Sequence, residues 1–251
     1  MADDRAGVVA VITGGARGFG KAFGTALTSL GAHVVLVDRD GPEVEAAAAE
    51  LRALGGSAIG LAGDVTDEAR MAEVMHLASE KTGGIDILIN NAGLHSDEYS
   101  KPIISMGLAK TRRLFEVNVM GTICCTLAAV SFMKGNAGAS IVNISSAAAY
   151  TGGTAYGNSK LAVSALTITF ARELGPDGVR VNAISPGMIL TDTIRTELSE
   201  ATRAGVKRMQ MIDADGAEQD IVEAMLYLTS SRARFVTGEV LRVTGGMAAG
   251  V

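Results

Sequence analysis

Short apolar runs recur along the chain, each ending where glycine, asparagine, aspartate or serine takes over. The first is residues 8–12, Val-Val-Ala-Val-Ile. A continuous apolar run of this length predicts a parallel strand buried on both faces. Residues 33–37, 57–62, 85–89, 140–144, 179–184 and 240–243 read the same way. Longer stretches with helical spacing lie between them, at 21–30, 42–54, 67–81, 107–133, 156–171 and 217–228. Asp67 is placed to cap the third of these. Residues 94–106 read as a polar, irregular loop. Strand and helix alternate throughout, which predicts an α/β fold: one domain over 1–251, a doubly wound seven-stranded parallel sheet with helices on both faces. No linker, repeat or low-complexity segment interrupts the pattern.

Composition narrows the classes. At 251 residues and 48% apolar content the chain can fill one large core. Its net charge of −5 is spread without a basic patch, which argues against a nucleic-acid partner. Cys124 and Cys125 are adjacent in an apolar segment, which is no disulfide framework and points to a reducing compartment. His33, His76 and His95 are scattered, so no metal site is expected. The first residues lack the charged-then-apolar order of a signal peptide. The apolar stretch 117–133 carries Asn118, Thr122, Thr126 and Ser131 and reads as a buried helix, not a membrane span. The expectation is a soluble, cytoplasmic protein.

Ligand chemistry collects at the strand ends. Thr13-Gly14-Gly15-Ala16-Arg17-Gly18-Phe19-Gly20 lies between a buried strand and a helix. Glycine lets the backbone approach a pyrophosphate there, and the helix N-terminus offers unpaired N–H groups. Asp38 ends the second strand, about twenty positions on, where a carboxylate binds the adenosine ribose and repels a 2′-phosphate. That favours NAD over NADP, although Arg17 and Arg39 could pair with such a phosphate. Asp38 could equally cap the turn at Gly41-Pro42. Asp64 and Asn91 also follow strand ends. Tyr156 and Lys160 stand four apart, one helical turn, so they can face one ligand. A cation about 4 Å from a phenol favours phenolate by up to roughly 4 kcal/mol at an effective dielectric near 20. Tyr156 so tuned can exchange a proton with an alcohol or carbonyl. Asn118, inside an apolar helix, needs a hydrogen-bond partner. The helix carrying Tyr156 is apolar nearly all round and predicts a subunit interface. Residues 188–215, with Met209, Met211 and Ile212, read either as a lid over an apolar substrate or as ordinary packing.

Thr13-Gly14-x-x-x-Gly18-x-Gly20, Asp64-Val65, Asn90-Asn91-Ala92-Gly93, Asn118, Asn143-Ile144-Ser145-Ser146, Tyr156-x-x-x-Lys160 and Pro186-Gly187-x-x-x-Thr191 occur in that order. Together they resemble the short-chain dehydrogenase/reductase family over essentially the whole chain. The resemblance implies a Rossmann fold that interconverts a secondary alcohol and a ketone with NAD(P). It implies Tyr156 as acid/base, Lys160 on the nicotinamide ribose, Ser146 on the substrate oxygen and Asn118 holding a water beside Lys160. Gly14, Arg17, Gly18, Phe19 and Gly20 would wrap the pyrophosphate and adenosine side, with Arg39 beside Asp38. Asp64 and Val65 would meet adenine, Asn91 a ribose, and Ile189 and Thr191 the carboxamide. The resemblance and the apolar helices together imply a homotetramer. Phe19 departs from the family's smaller aliphatic residue, and the short 146–156 segment leaves Ser145 as an alternative to Ser146. Little positive charge at 135–137 and 173–177 weighs against an acyl-carrier-protein reductase, the main alternative activity. A non-catalytic NAD-binding regulatory module and a sugar-nucleotide epimerase rank lower.

Overall fold

The computed structural model describes residues 5–80, 84–95, 98–136, 138–189 and 200–247. All seven apolar runs are strands: β1 (Val9–Thr13), β2 (His33–Asp38), β3 (Ser57–Ala62), β4 (Ile87–Asn90), β5 (Ser140–Ile144), β6 (Arg180–Pro186) and β7 (Val240–Val243). They form one sheet, every pair parallel, in the order β3-β2-β1-β4-β5-β6-β7. β4 begins two residues later than its apolar run, because the Ile85 N–H is held by the Phe132 carbonyl instead of the sheet. The helices are α1 (Gly18–Ser29), α2 (Gly41–Ala53), α3 (Glu68–Ser79), α4 (Ile103–Met106), α5 (Leu108–Phe115), α6 (Gly121–Met133), α7 (Ala148–Thr151), α8 (Ala155–Leu174), α9 (Glu200–Lys207) and α10 (Glu218–Leu228).

Strand side chains alternate between two cores, as a period of two requires. Ile12, Leu36, Ile89, Val142 and Ile184 pack with α1, α2 and α10. Val11, Val35, Leu88, Ile141 and Val181 pack with α3, α6 and α8. The second face also carries a polar ladder. Asn90 and Asn143 are register partners on β4 and β5, and the Asn90 amide donates to Asn143 Oδ1 at 2.9 Å and to Thr126 Oγ1 at 3.1 Å. The Asn143 amide reaches Thr167 Oγ1 at 2.9 Å. The ladder ties α6, both strands and α8 into one register, since each unmet buried partner would cost free energy.

Local capping sets the helix starts. Asp40 caps α2, Asp67 caps α3 and Thr154 caps α8, each accepting the N–H three residues on. The stretch 107–133 is not one helix. A five-residue π-turn, Glu116–Met120, interrupts it between α5 and α6. The extra residue per turn is accommodated because Asn118 is drawn inward onto Leu94 and Ser159. Nor is 94–106 wholly irregular, since α4 forms there and Gly107, at φ +79°, turns the chain into α5. Leu108–Met133 is long and apolar enough to cross a membrane by length and composition. In this fold its Leu114, Cys125, Ala129 and Met133 are buried within the protein.

Candidate active site

The turn from β1 to α1 is built for close approach. Gly14 and Gly18 have φ of +64° and +51°, the left-handed region that glycine enters freely. A Cβ on Gly20 would stand 2.8 Å from the Asn91 amide nitrogen and collide with the Gly14 carbonyl oxygen, so any larger residue would push the turn apart. Asn91 sits beneath this turn. Its amide donates to the Thr13 and Gly14 carbonyls at 2.9 and 3.0 Å. Thr13 Oγ1 accepts from the Asn91 and Ala92 N–H groups at 3.1 Å each. Among the described residues no side chain caps the N-terminus of α1, which leaves that end of the helix to whatever lies over the loop. Phe19 is accommodated by stacking on Phe23, ring centroids 6.2 Å apart.

Around this turn stand the other cofactor candidates. Asp38, at the tip of β2, accepts from Ala16 N at 3.3 Å and Asp40 N at 3.2 Å. It therefore braces the glycine turn and also makes the local turn that its sequence position allowed. Arg39 is exposed beside it. Arg17 is exposed too, 3.8 Å from Glu43. Asp64 follows β3 and accepts from the Thr66 N–H and hydroxyl and from Arg113 at 3.3 Å. Burial alone would raise its pKa, but these Thr66 and Arg113 contacts together hold it below the usual carboxylate value. Val65 and Ile189 are buried, and Ile189 pairs with Gly216 in an isolated parallel bridge. Thr191 lies outside the described residues, as does part of the 188–215 segment.

Three residues, Asn91-Ala92-Gly93, lead from the glycine turn to the second half of the site. A Cβ on Gly93 would lie 3.3 Å from both Asn118 Oδ1 and Lys160 Nζ, so the missing side chain lets these two groups close over the backbone. Asn118 is fully committed: Oδ1 accepts from Leu94 N at 2.7 Å, and its amide donates to Leu94 O and to Ser159 Oγ. Ser159 in turn donates to the Tyr156 carbonyl at 2.8 Å. Ser159 was not singled out from the sequence, although it sits inside the Tyr156–Lys160 motif. The two serines after β5 separate cleanly. Ser145 is buried, bonded to Lys160 O at 2.9 Å and Ser164 Oγ at 2.8 Å. Ser146 bonds the Tyr156 hydroxyl.

Lys160 is buried, and its ammonium donates to the Ile144 carbonyl at 2.8 Å. It lies 5.9 Å from the Tyr156 ring centroid. The expected lowering of the Tyr156 pKa by this cation is therefore overturned for the ligand-free protein. Tyr156 keeps part of its surface open, yet burial of the phenol pushes its pKa up, only partly offset by Ser146. The same burial drives Lys160 down to about 8. Both charged forms lose hydration here, and that loss outweighs their mutual attraction.

A seven-stranded parallel sheet with a glycine turn and a Tyr–Lys–Ser–Asn cluster at its carboxyl edge defines a dinucleotide-dependent oxidoreductase. A family model described as enoyl-(acyl carrier protein) reductase matches residues 14–248. A 7alpha-hydroxysteroid dehydrogenase of Escherichia coli (strain K12) is 35% identical over 243 residues, 96% of this chain and 94% of that protein. A 3-oxoacyl-(acyl-carrier-protein) reductase of Aquifex aeolicus (strain VF5) is 33% identical over 245 residues, 96% of this chain and 97% of that one. A solved structure of 7 alpha-hydroxysteroid dehydrogenase complexed with NADH and 7-oxo glycochenodeoxycholic acid superposes with a TM-score of 0.90 at 33% identity, covering 98% of this chain and 96% of that chain. The chain belongs to the short-chain dehydrogenase/reductase family. It is an enzyme of alcohol–ketone oxidoreduction.

Burial of Lys160 has a measurable cost. With a folded pKa of about 8 against an ordinary 10.5, the penalty is complete below pH 8 and fades as pH climbs toward the unfolded value. Lys160→Met should stabilise the ligand-free protein at pH 7 by about 1–3 kcal/mol, after allowing for the unpaired Ile144 carbonyl. Thermal unfolding from pH 6 to 10 should show that gain shrinking above pH 8. A variant less stable than wild type at every pH would contradict the assignment.

Proposed function

We propose that this enzyme moves a hydride between a secondary alcohol and NAD, with Tyr156 exchanging the hydroxyl proton. The carrying observation is the convergence of Tyr156, Ser146, Lys160 and Asn118 beside a glycine turn that a single Cβ would block. The residues fit a dinucleotide: an uncapped helix end and a glycine cradle for the pyrophosphate, Asp38 for the adenosine ribose, and Asp64 with Val65 for the adenine. NAD, when bound, supplies the hydride acceptor. Asp38 favours it over NADP by repelling a 2′-phosphate. The solved relative bound to NADH supports the same choice.

The protein's own part is proton handling and orientation. Ser146 holds the substrate oxygen against the Tyr156 hydroxyl. The raised pKa of Tyr156 keeps it protonated at neutral pH, ready to donate to a ketone. In the alcohol direction Tyr156 accepts the proton, and the positive charge of Lys160, which would also hold the nicotinamide ribose, stabilises the phenolate. Asn118, its side chain held by Leu94 and Ser159, keeps the backbone beside Lys160 in place, where a water would link that ammonium to solvent. An acyl-carrier substrate has one relative in its favour. Against it, Lys134, beside the 135–137 stretch, is already paired with Asp177 at 2.8 Å. We place the enzyme in the cytoplasm, as a small-molecule catalyst.

Assembly follows from the exposed faces of α6 and α8. Leu127 (63% exposed) and Leu161 (50% exposed) lie outside both cores, with Met120 and Ile168 also exposed. Large apolar side chains left exposed on these helices are covered in oligomers, and a homotetramer would cover them. Light scattering should return about four times the 25.7 kDa chain mass; a monomer would contradict this.

The activity test is Tyr156→Phe, assayed with a panel of sterols, sugars, aliphatic alcohols and keto-esters. Turnover should fall by about three orders of magnitude or more while NAD binding, read by fluorescence, persists. Near-wild-type turnover ends the proposal for Tyr156. In the same assay NAD should outperform NADP, and Asp38→Ala should narrow the gap; a wild-type preference for NADP would overturn the role given to Asp38.

A further inference from the structure

The first turn of α8, which carries Tyr156, is held from outside by the segment 98–101. The leading N–H groups of any helix lack partners within it. Here Thr154 Oγ1 takes Gly157 N at 3.0 Å, Lys101 O takes Ala155 N at 3.2 Å, and Tyr99 O takes Tyr156 N at 3.3 Å. Two of the three acceptors thus come from one short segment of the β4–α4 connection. Its side chains anchor it in turn. Glu98 pairs with Lys110 of α5 at 2.9 Å, and the Tyr99 hydroxyl bonds the same carboxylate. The Tyr99 and Tyr156 side chains pack on one small cluster of Met106, Leu114 and Ala155.

We propose that Tyr99 is a positioning residue for Tyr156: its carbonyl fixes the start of α8, and its ring shares and seals the apolar cluster on which the Tyr156 ring rests. This deepens the reading of Tyr156 as the proton-exchanging group and rests on it. Specific geometry matters here because a displacement of about 1 Å at a reacting group can cost on the order of a hundredfold in rate.

Among the described residues, the charged and titratable groups around Tyr156 can be named. Lys160 faces it from α8 itself. Tyr99 faces it from the connection, with Glu98 behind it and Lys110 and Arg113 on α5 beyond. Ser146, from the end of β5, is neutral. Removing the Tyr99 ring admits water to the cluster and relieves the burial that holds the phenol up.

The test compares Tyr99→Phe, Tyr99→Leu and Tyr99→Ala with wild type, measuring kcat, KM for NAD and the pH profile of alcohol oxidation. Tyr99→Phe should stay close to wild type, since the carbonyl and ring remain. Tyr99→Ala should lose about tenfold or more in kcat with KM for NAD within about twofold. Its ascending pH limb should move to lower pH by about half a unit. A lower kcat with an unmoved pH limb would mean only a smaller folded fraction and would overturn the proposal, as would wild-type behaviour. If Tyr99→Ala does not fold, judged by circular dichroism, Tyr99→Leu carries the same two readouts. Tyr156→Phe run alongside separates the failures: if it stays active, the underlying role of Tyr156 is wrong; if it is dead while Tyr99→Ala is unchanged, only the positioning role is.

Discussion

The whole site depends on taking an ammonium and a phenol partly out of water at the same sheet edge. Neither ionises readily there, and the structure compensates with fixed partners instead of solvent. The Ile144 carbonyl receives Lys160, Ser146 donates toward the Tyr156 oxygen, and Ser145, just past β5, bonds the Lys160 carbonyl and Ser164 of α8. Gly93 lacks a side chain where one would separate Lys160 from Asn118. These contacts hold a preorganised pair whose protonation follows what binds beside it.

The rest of the fold delivers that pair to one place. Parallel strands bring the carboxyl ends of β1, β2, β3, β4 and β5 to one edge, so the glycine turn, Asp38, Asp64, Asn91 and Ser146 share it. The Asn90–Asn143 ladder keeps β4 and β5 in register with α6 and α8. The π-turn lets one helical run serve two purposes. Its α5 half carries Lys110 and Arg113 to Glu98 and Asp64, and its α6 half fills the core. Between the two, Asn118 turns inward to Leu94 and Ser159.

Period-two and period-3.6 patterns are local properties, and the seven strands and most helices were legible from them. So was the order of glycine turn, acidic strand tips and Tyr-x-x-x-Lys, because each sits where a strand stops. The break in 107–133 was not legible. Val117, Asn118 and Val119 are weak helix formers, but weak propensity does not distinguish a π-turn from a plain α-helix; that is decided by Leu94 and Ser159, which arrive from elsewhere in the chain. Helical spacing placed Tyr156 and Lys160 on one face but could not give their separation, which is set by Ile144 on a different strand. Nor could it show that burial outweighs attraction. Tyr99 was hidden for the same reason: its partners are the first turn of α8 and a cluster assembled from three segments.

That balance between burial and charge can be read directly. Ultraviolet difference titration of phenolate absorbance, wild type minus Tyr156→Phe, isolates the one phenol at the centre of the site. In the ligand-free protein the midpoint should lie above the ordinary tyrosine value of 10.0. A midpoint near neutrality would mean that Lys160 dominates the phenol after all, and the account of a site governed by burial would be wrong.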